Sequence, residues 1–124
     1  GKDAVVFATG VMVSIALEAA EELEKEGVSV KVVNVPSIKP IDADSVAEIG
    51  ASVKGVVTAE EHSVIGGLGS TICECLAPRV AKKVFFVGVQ DSFGTSGENY
   101  DVLLKKYGLT KENVMAAVKK SLED

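Results

Sequence analysis

Lys54-Gly55-Val56-Val57-Thr58-Ala59 runs directly into Glu60-Glu61-His62-Ser63-Val64-Ile65-Gly66-Gly67, and then into Leu68-Gly69-Ser70-Thr71-Ile72-Cys73-Glu74-Cys75-Leu76-Ala77. The first segment is a short, β-branched run suited to a buried strand. The second is polar at its start and glycine-rich at its end, which reads as a loop. The third places Leu68, Ile72, Cys75 and Leu76 on one helical face, and Pro78 closes it. A buried strand, a loop and an amphipathic helix in succession form the repeating unit of an α/β fold.

The same unit recurs on both sides. Upstream, Ala4–Ala8 reads as a strand ended by Thr9-Gly10. A helix is expected over Val11–Glu26, with Met12, Ile15, Ala16, Ala19 and Leu23 inward and Gly27 as the residue beyond its end. Val28–Val35 reads as a second strand closed by Pro36, and Asp42 can cap a short helix running to about Ser52. Downstream, Val84–Val89 is a fourth strand and Gln90–Gly97 a loop. Asn99–Tyr107 is expected to be a helix stopped by Gly108, and Thr110 to cap a last helix with Val114, Ala117, Val118 and Leu122 inward. Near-continuous apolar strands alternating with helices predict a parallel sheet covered on both faces, a three-layer α/β/α sandwich. Its 124 residues suit one domain with an aliphatic core, because apolar residues make up 47 % and tryptophan is absent.

Composition narrows the function classes. The net charge is −5, and the basic clusters are the pairs Lys82-Lys83, Lys105-Lys106 and Lys119-Lys120, each expected at a helix end. Such pairs complement a helix dipole or aid solubility, and no basic stripe for nucleic acid is present. No apolar run approaches the ~18 residues needed to span a bilayer, so no membrane association is expected. The Gly1-Lys2-Asp3 start does not read as a signal peptide. Cys73 and Cys75 sit at i and i+2, which on a helix sets them on nearly opposite sides, out of reach of a disulfide. A reducing cytoplasm is the expected compartment.

The chemistry-bearing residues fall in two loops after strands, where open α/β sheets hold their ligands. Glu60, Glu61, His62 and Ser63 follow the third strand, and Glu61 or His62 would suit a general acid or base. The structural reading makes this a polar loop whose histidine caps a helix or packs at an interface. Ile65, Gly66, Gly67 and Gly69 lead into a helix in a manner suited to anion binding by backbone amides. The dinucleotide fingerprint is incomplete, since Ile72 stands where glycine or alanine belongs, and there is no Walker-type Gly-Lys-Ser/Thr. The structural reading is that these glycines allow a tight turn and close helix–sheet packing. Asp91, Phe93, Gly94, Ser96 and Gly97 form the second loop, either an anion site or a turn with Phe93 as an apolar peg. One histidine and a Cys-x-Cys do not assemble a zinc site, and Ser14 and Ser63 lack a nucleophile elbow. No catalytic set is expected from these residues.

Four of these stretches together resemble a known family. Val56 to Ser70 resembles the loop-helix of the transketolase C-terminal domain, and Asp91-Ser92-Phe93-Gly94-Thr95-Ser96-Gly97 its Asp-x-Phe-Gly-x-Ser-Gly. Leu103 to Thr110 resembles its closing Leu-x-x-x-Tyr-Gly-Leu-Thr, and Ile38-Lys39-Pro40-Ile41-Asp42 its Lys-Pro-Ile/Leu-Asp turn. They occur in the family's order along the whole chain. The resemblance extends to 1-deoxyxylulose-5-phosphate synthase and to the β-subunit of 2-oxoacid dehydrogenases. The His62 loop with Phe93–Gly97 leans to transketolase itself, split forms included.

The resemblance implies a parent enzyme that transfers two-carbon ketol units between sugar phosphates. The parent uses thiamine diphosphate and a divalent metal, magnesium or calcium. Those groups belong to its first two domains, and this domain supports the dimer. The expected partners are the N-terminal and middle domains or subunit and a second copy of the parent. No catalytic, cofactor or metal residue is expected here, so the chain should not turn over substrate alone. The family's domain opens with an additional antiparallel strand ahead of the segment matching Asp3–Gly10. Residues 1–124 are therefore expected to be an excised domain of four parallel strands in the order 2-1-3-4, with an open edge at Val28–Val35. The switch point would set Thr9 and Gly10 beside Glu60–Ser63. The alternatives are an independent phosphate or small-ligand module built on Gly66–Ser70 and Phe93–Gly97, and an enzyme acting through Glu61 and His62.

Overall fold

A computed structural model describes residues 1–35, 42–63, 67–89 and 109–123. Four strands, β1 (Ala4–Ala8), β2 (Val30–Asn34), β3 (Gly55–Ser63) and β4 (Val84–Val89), form one parallel sheet in the order β2-β1-β3-β4. Four described helices accompany them: α1 (Met12–Lys25), α2 (Ala43–Ala51), α3 (Leu68–Leu76) and α4 (Lys111–Ser121). The expected sheet order is the observed one, with β2 at an outer edge. The expected helix over 99–107 and the loop over 90–97 lie outside the described residues.

Strand β1 is the centre of the structure because all five of its residues are buried. Successive side chains point to opposite faces of a strand, and the two cores follow that alternation. Ala4, Val6 and Ala8 join Met12, Ala16, Ala19 and Leu23 of α1 and Val114 and Val118 of α4 on one face. Val5 and Phe7 join Val46 and Ala47 of α2 and Leu68, Ile72 and Leu76 of α3 on the other. The polar/apolar alternation of a one-sided sheet is absent because both faces are covered.

Asp3 fixes the start of the sheet. Its carboxylate accepts from the Ser29 amide at 2.7 Å, and its carbonyl accepts from the amides of Lys54 and Gly55, each at 3.1 Å. One residue thus ties the beginnings of β1, β2 and β3 together. The register runs Ala4 beside Val30 and Gly55, through to Ala8 beside Asn34 and Ala59.

The caps follow the sequence. The Asp42 carboxylate accepts from the Ser45 amide at 3.1 Å, and the Thr110 hydroxyl from the Asn113 amide at 3.3 Å. The Ser45 amide, helped by the Ser45 hydroxyl, holds the Asp42 carboxyl below its ordinary value. Gly27, at φ +85°, occupies the left-handed conformation that ends α1. Ile15 and Ala117, expected inward, pack at the margin of the core, and Ser121 joins Val114 and Val118 as the buried stripe of α4.

Two expectations are corrected. The segment from Glu60 to Ser63 continues β3, with a register irregularity between Ala59 and Ser63, where a loop was expected. Lys82-Lys83 does not close a helix: α3 ends at Leu76, and the pair directly precedes β4. Among the described residues no helix is long and apolar enough to cross a membrane.

Candidate functional site

The singled-out residues that the structure describes lie in β3 and at the start of α3. The Thr9 amide donates to the Ala59 carbonyl at 3.2 Å, so the end of β1 lies beside the middle of β3, just ahead of Glu60. The switch point between these strands lies where the sheet order placed it.

Glu60 and Glu61 are neighbours in sequence and therefore point to opposite faces of β3. Glu60 shares the parity of Val56, whose side chain lies in the layer of α2 and α3. It is only 2 % exposed. Its carboxylate accepts from the backbone amides of Leu68 at 2.7 Å and Gly69 at 3.4 Å. These belong to the first turn of α3, whose amides have no partner within the helix. Gly67, the residue ahead of α3, makes no side-chain cap. Glu60 takes over that function from the strand, and its negative charge also meets the positive end of the helix dipole.

Glu61 points the other way, toward the start of α1. Gly10 stands there at φ +57°, and a Cβ on it would run into Glu61 Oε1. Gly10 thus combines a left-handed backbone with a close approach by a carboxylate, either of which favours glycine. Each acid of the pair addresses the beginning of a different helix, on a different face.

The glycine-rich start of α3 serves packing. A Cβ on Gly69 would lie 2.7–2.9 Å from the ring carbons of Phe86 on β4. The absence of that atom lets α3 sit directly on the sheet. The Leu68 and Gly69 amides at this helix start donate to Glu60, an anion of the chain itself.

The chemical repertoire of the described residues is correspondingly narrow. Among them no group of three or more His, Cys, Asp or Glu side chains could hold a metal ion. Burial, and then the neighbouring Glu74, pushes the thiols of Cys73 and Cys75 up. Both are free and stay protonated near neutrality, unlike an activated nucleophile. His62 and Ser63 are described by their strand backbone alone. Ile65, Gly66, Asp91, Phe93, Gly94, Ser96 and Gly97 lie outside the described residues. Of the sequence candidates, the structure brings Glu60, Gly67 and Gly69 together at α3, and it sets Glu61 apart with Gly10. The capping function of Glu60 was not foreseen, although an acid at the end of a strand eight residues before a glycine-rich helix start is a usable signal.

Comparison with known proteins agrees with this picture. Residues 1–114 match the family described as "Transketolase, C-terminal domain". The chain is 44 % identical over 117 residues to the 6-deoxy-6-sulfo-D-fructose transketolase subunit SqwH of Clostridium sp. (strain MSTE9), covering 94 % of this chain and 36 % of that protein. It is 40 % identical over 124 residues to a putative transketolase C-terminal section of Methanocaldococcus jannaschii, covering 99 % of this chain and 38 % of that one. A solved split-gene transketolase, described as an inactive beta4 tetramer, superposes with a TM-score of 0.91 at 50 % identity, over 98 % of this chain and 40 % of its own. The chain therefore spans little more than a third of the length of these curated relatives, which are sections or subunits of transketolase-type enzymes. A family match over nearly the whole chain, joined to the same fold at 50 % identity, shows that this chain belongs to the transketolase C-terminal domain family.

Proposed function

We propose that the chain is the C-terminal supporting section of a cytoplasmic, thiamine-diphosphate-dependent enzyme that moves two-carbon ketol units between sugar phosphates. The observation that carries this reading is the carboxyl edge of the sheet, whose buried carboxylate holds the chain's own helix, in a chain whose relatives are sections of larger enzymes. Thiamine diphosphate and its divalent metal then belong to the N-terminal and middle sections. The inactive state given for the related β4 tetramer supports a section that does not turn over substrate alone.

The same reading assigns the section to assembly, with the parent a homodimer. The apolar residues Val64, Ile65 and Phe93, in the two segments after β3 and β4, are the proposed contacts with the other sections. The outer edge of β2 is where the additional antiparallel strand expected of the family would pair. Ile65→Asp combined with Phe93→Asp should weaken association with the N-terminal section by about tenfold or more, as for apolar anchors at an interface centre. Sedimentation of mixtures measures this, and unchanged association would remove the proposed contact.

A further inference from the structure

A second concave site lies at the opposite edge of the sheet. A pocket of about 400 Å³ is lined by Lys54, Lys82, Lys83 and Lys120, with Phe85 as an apolar wall and Glu123 as the one described acid. The topology assembles it. Lys54 directly precedes β3, Lys82-Lys83 directly precede β4, and parallel strands begin at one edge. Lys120 arrives from the last turn of α4, whose Ser121 lies where a Cβ on Gly55 would fall. Two lysine pairs far apart in sequence thereby contribute to one cavity.

This concentration of charge runs against the rest of the molecule. The chain carries 18 acids and 13 bases, yet the pocket holds four lysines against one glutamate. Lysines in a last helical turn complement the helix dipole, which accounts for Lys119 and Lys120. It does not account for Lys54, Lys82 and Lys83, which precede strands. The half-buried Lys82 is pinned in place by a hydrogen bond to the Val53 carbonyl, and its ammonium keeps two further donors. Neither Lys83 nor Lys120 has an ion-pair partner among the described residues. Like charges gathered in a concavity raise one another's electrostatic energy, and a bound oxyanion relieves it.

We propose that this pocket binds a small dianionic ligand of the phosphate monoester class, its oxyanion among the lysine ammonium groups and its carbon body against Phe85. The site is remote from Glu60 and Glu61 and does not depend on the function proposed above.

The test is calorimetric titration of the 124-residue chain with phenyl phosphate at low salt. The expected result is saturable one-site binding, weakened about tenfold or more in a Lys83→Gln, Lys120→Gln double variant. A Lys25→Gln, Lys119→Gln double variant changes the net charge equally. Its lysines pair with Glu22 and Glu26 and do not line the pocket, so it should bind like the parent chain. Absence of saturation would overturn the proposal. Equal loss in both double variants would reduce it to diffuse charge attraction and overturn it as well. Binding of an acidic hexapeptide where phenyl phosphate fails would give the pocket to a partner's acidic segment, again against the proposal.

Discussion

Glu60→Ala should destabilise the chain by about 2–4 kcal/mol, because it strips the buried first-turn amides of α3 of their acceptor. The Leu68 amide, at 2.7 Å from the carboxylate, accounts for most of the loss, and the longer 3.4 Å bond from Gly69 for less. No side-chain cap at Gly67 can take over. Glu60→Gln should fall between the two, since its carbonyl oxygen can still accept from one amide while its NH2 faces the other and the charge is gone. Urea unfolding of the three proteins measures the order. An alanine variant as stable as the parent chain would mean that Glu60 is not the cap of α3, and would reopen that helix start as an anion site.

Phe7→Ala is expected to cost about 3–5 kcal/mol, in the range for deleting a buried aromatic ring. Phe7 is fully buried on the central strand, in the core shared by α2 and α3. Its neighbours there include Val46, Leu68, Ile72 and Leu76. They are fixed by two helices and the sheet, so the void cannot collapse fully. Phe7→Leu should recover most of the loss. Leu17→Ala on α1 serves as the contrast. Leu17 is 55 % exposed, and its removal should stay within about 0.5 kcal/mol. A small effect at Phe7 would mean that the core is not packed as described.

The sequence is most informative where local chemistry and burial agree. The caps Asp42 and Thr110, the stop at Gly27 and the inward stripe of α1 follow from rules that act within one helical turn. The sheet order does not arise from any local rule. It came with the resemblance of four motifs to a known family and matches the observed order. The extent of β3 exceeds the expected strand for a physical reason. A run of two acids, a histidine and a serine has the composition of a loop, yet the strand carries it, with Ser63 paired to Val89 of β4 and the buried Glu60 carboxylate accepting from the Leu68 amide of α3. That partner lies eight residues further along the chain, and propensity does not see it. The glycines after it read either as an anion site or as a tight entry with close helix–sheet packing, and the approach of Gly69 to Phe86 fits the second. The lysine pocket was illegible for the complementary reason: Lys82-Lys83 and Lys120 meet only through the parallel order of β3 and β4 and the return of α4 across the start of β3.

The most direct test of the account is reconstitution of ketol transfer. The chain is combined with the N-terminal and middle sections, thiamine diphosphate and magnesium, and transfer between sugar phosphates is followed beside the chain alone and the other sections alone. The account predicts activity in the complete mixture and none in the chain by itself. Turnover by the isolated chain, or a complete mixture that associates and binds cofactor yet gains nothing from this section, would contradict it.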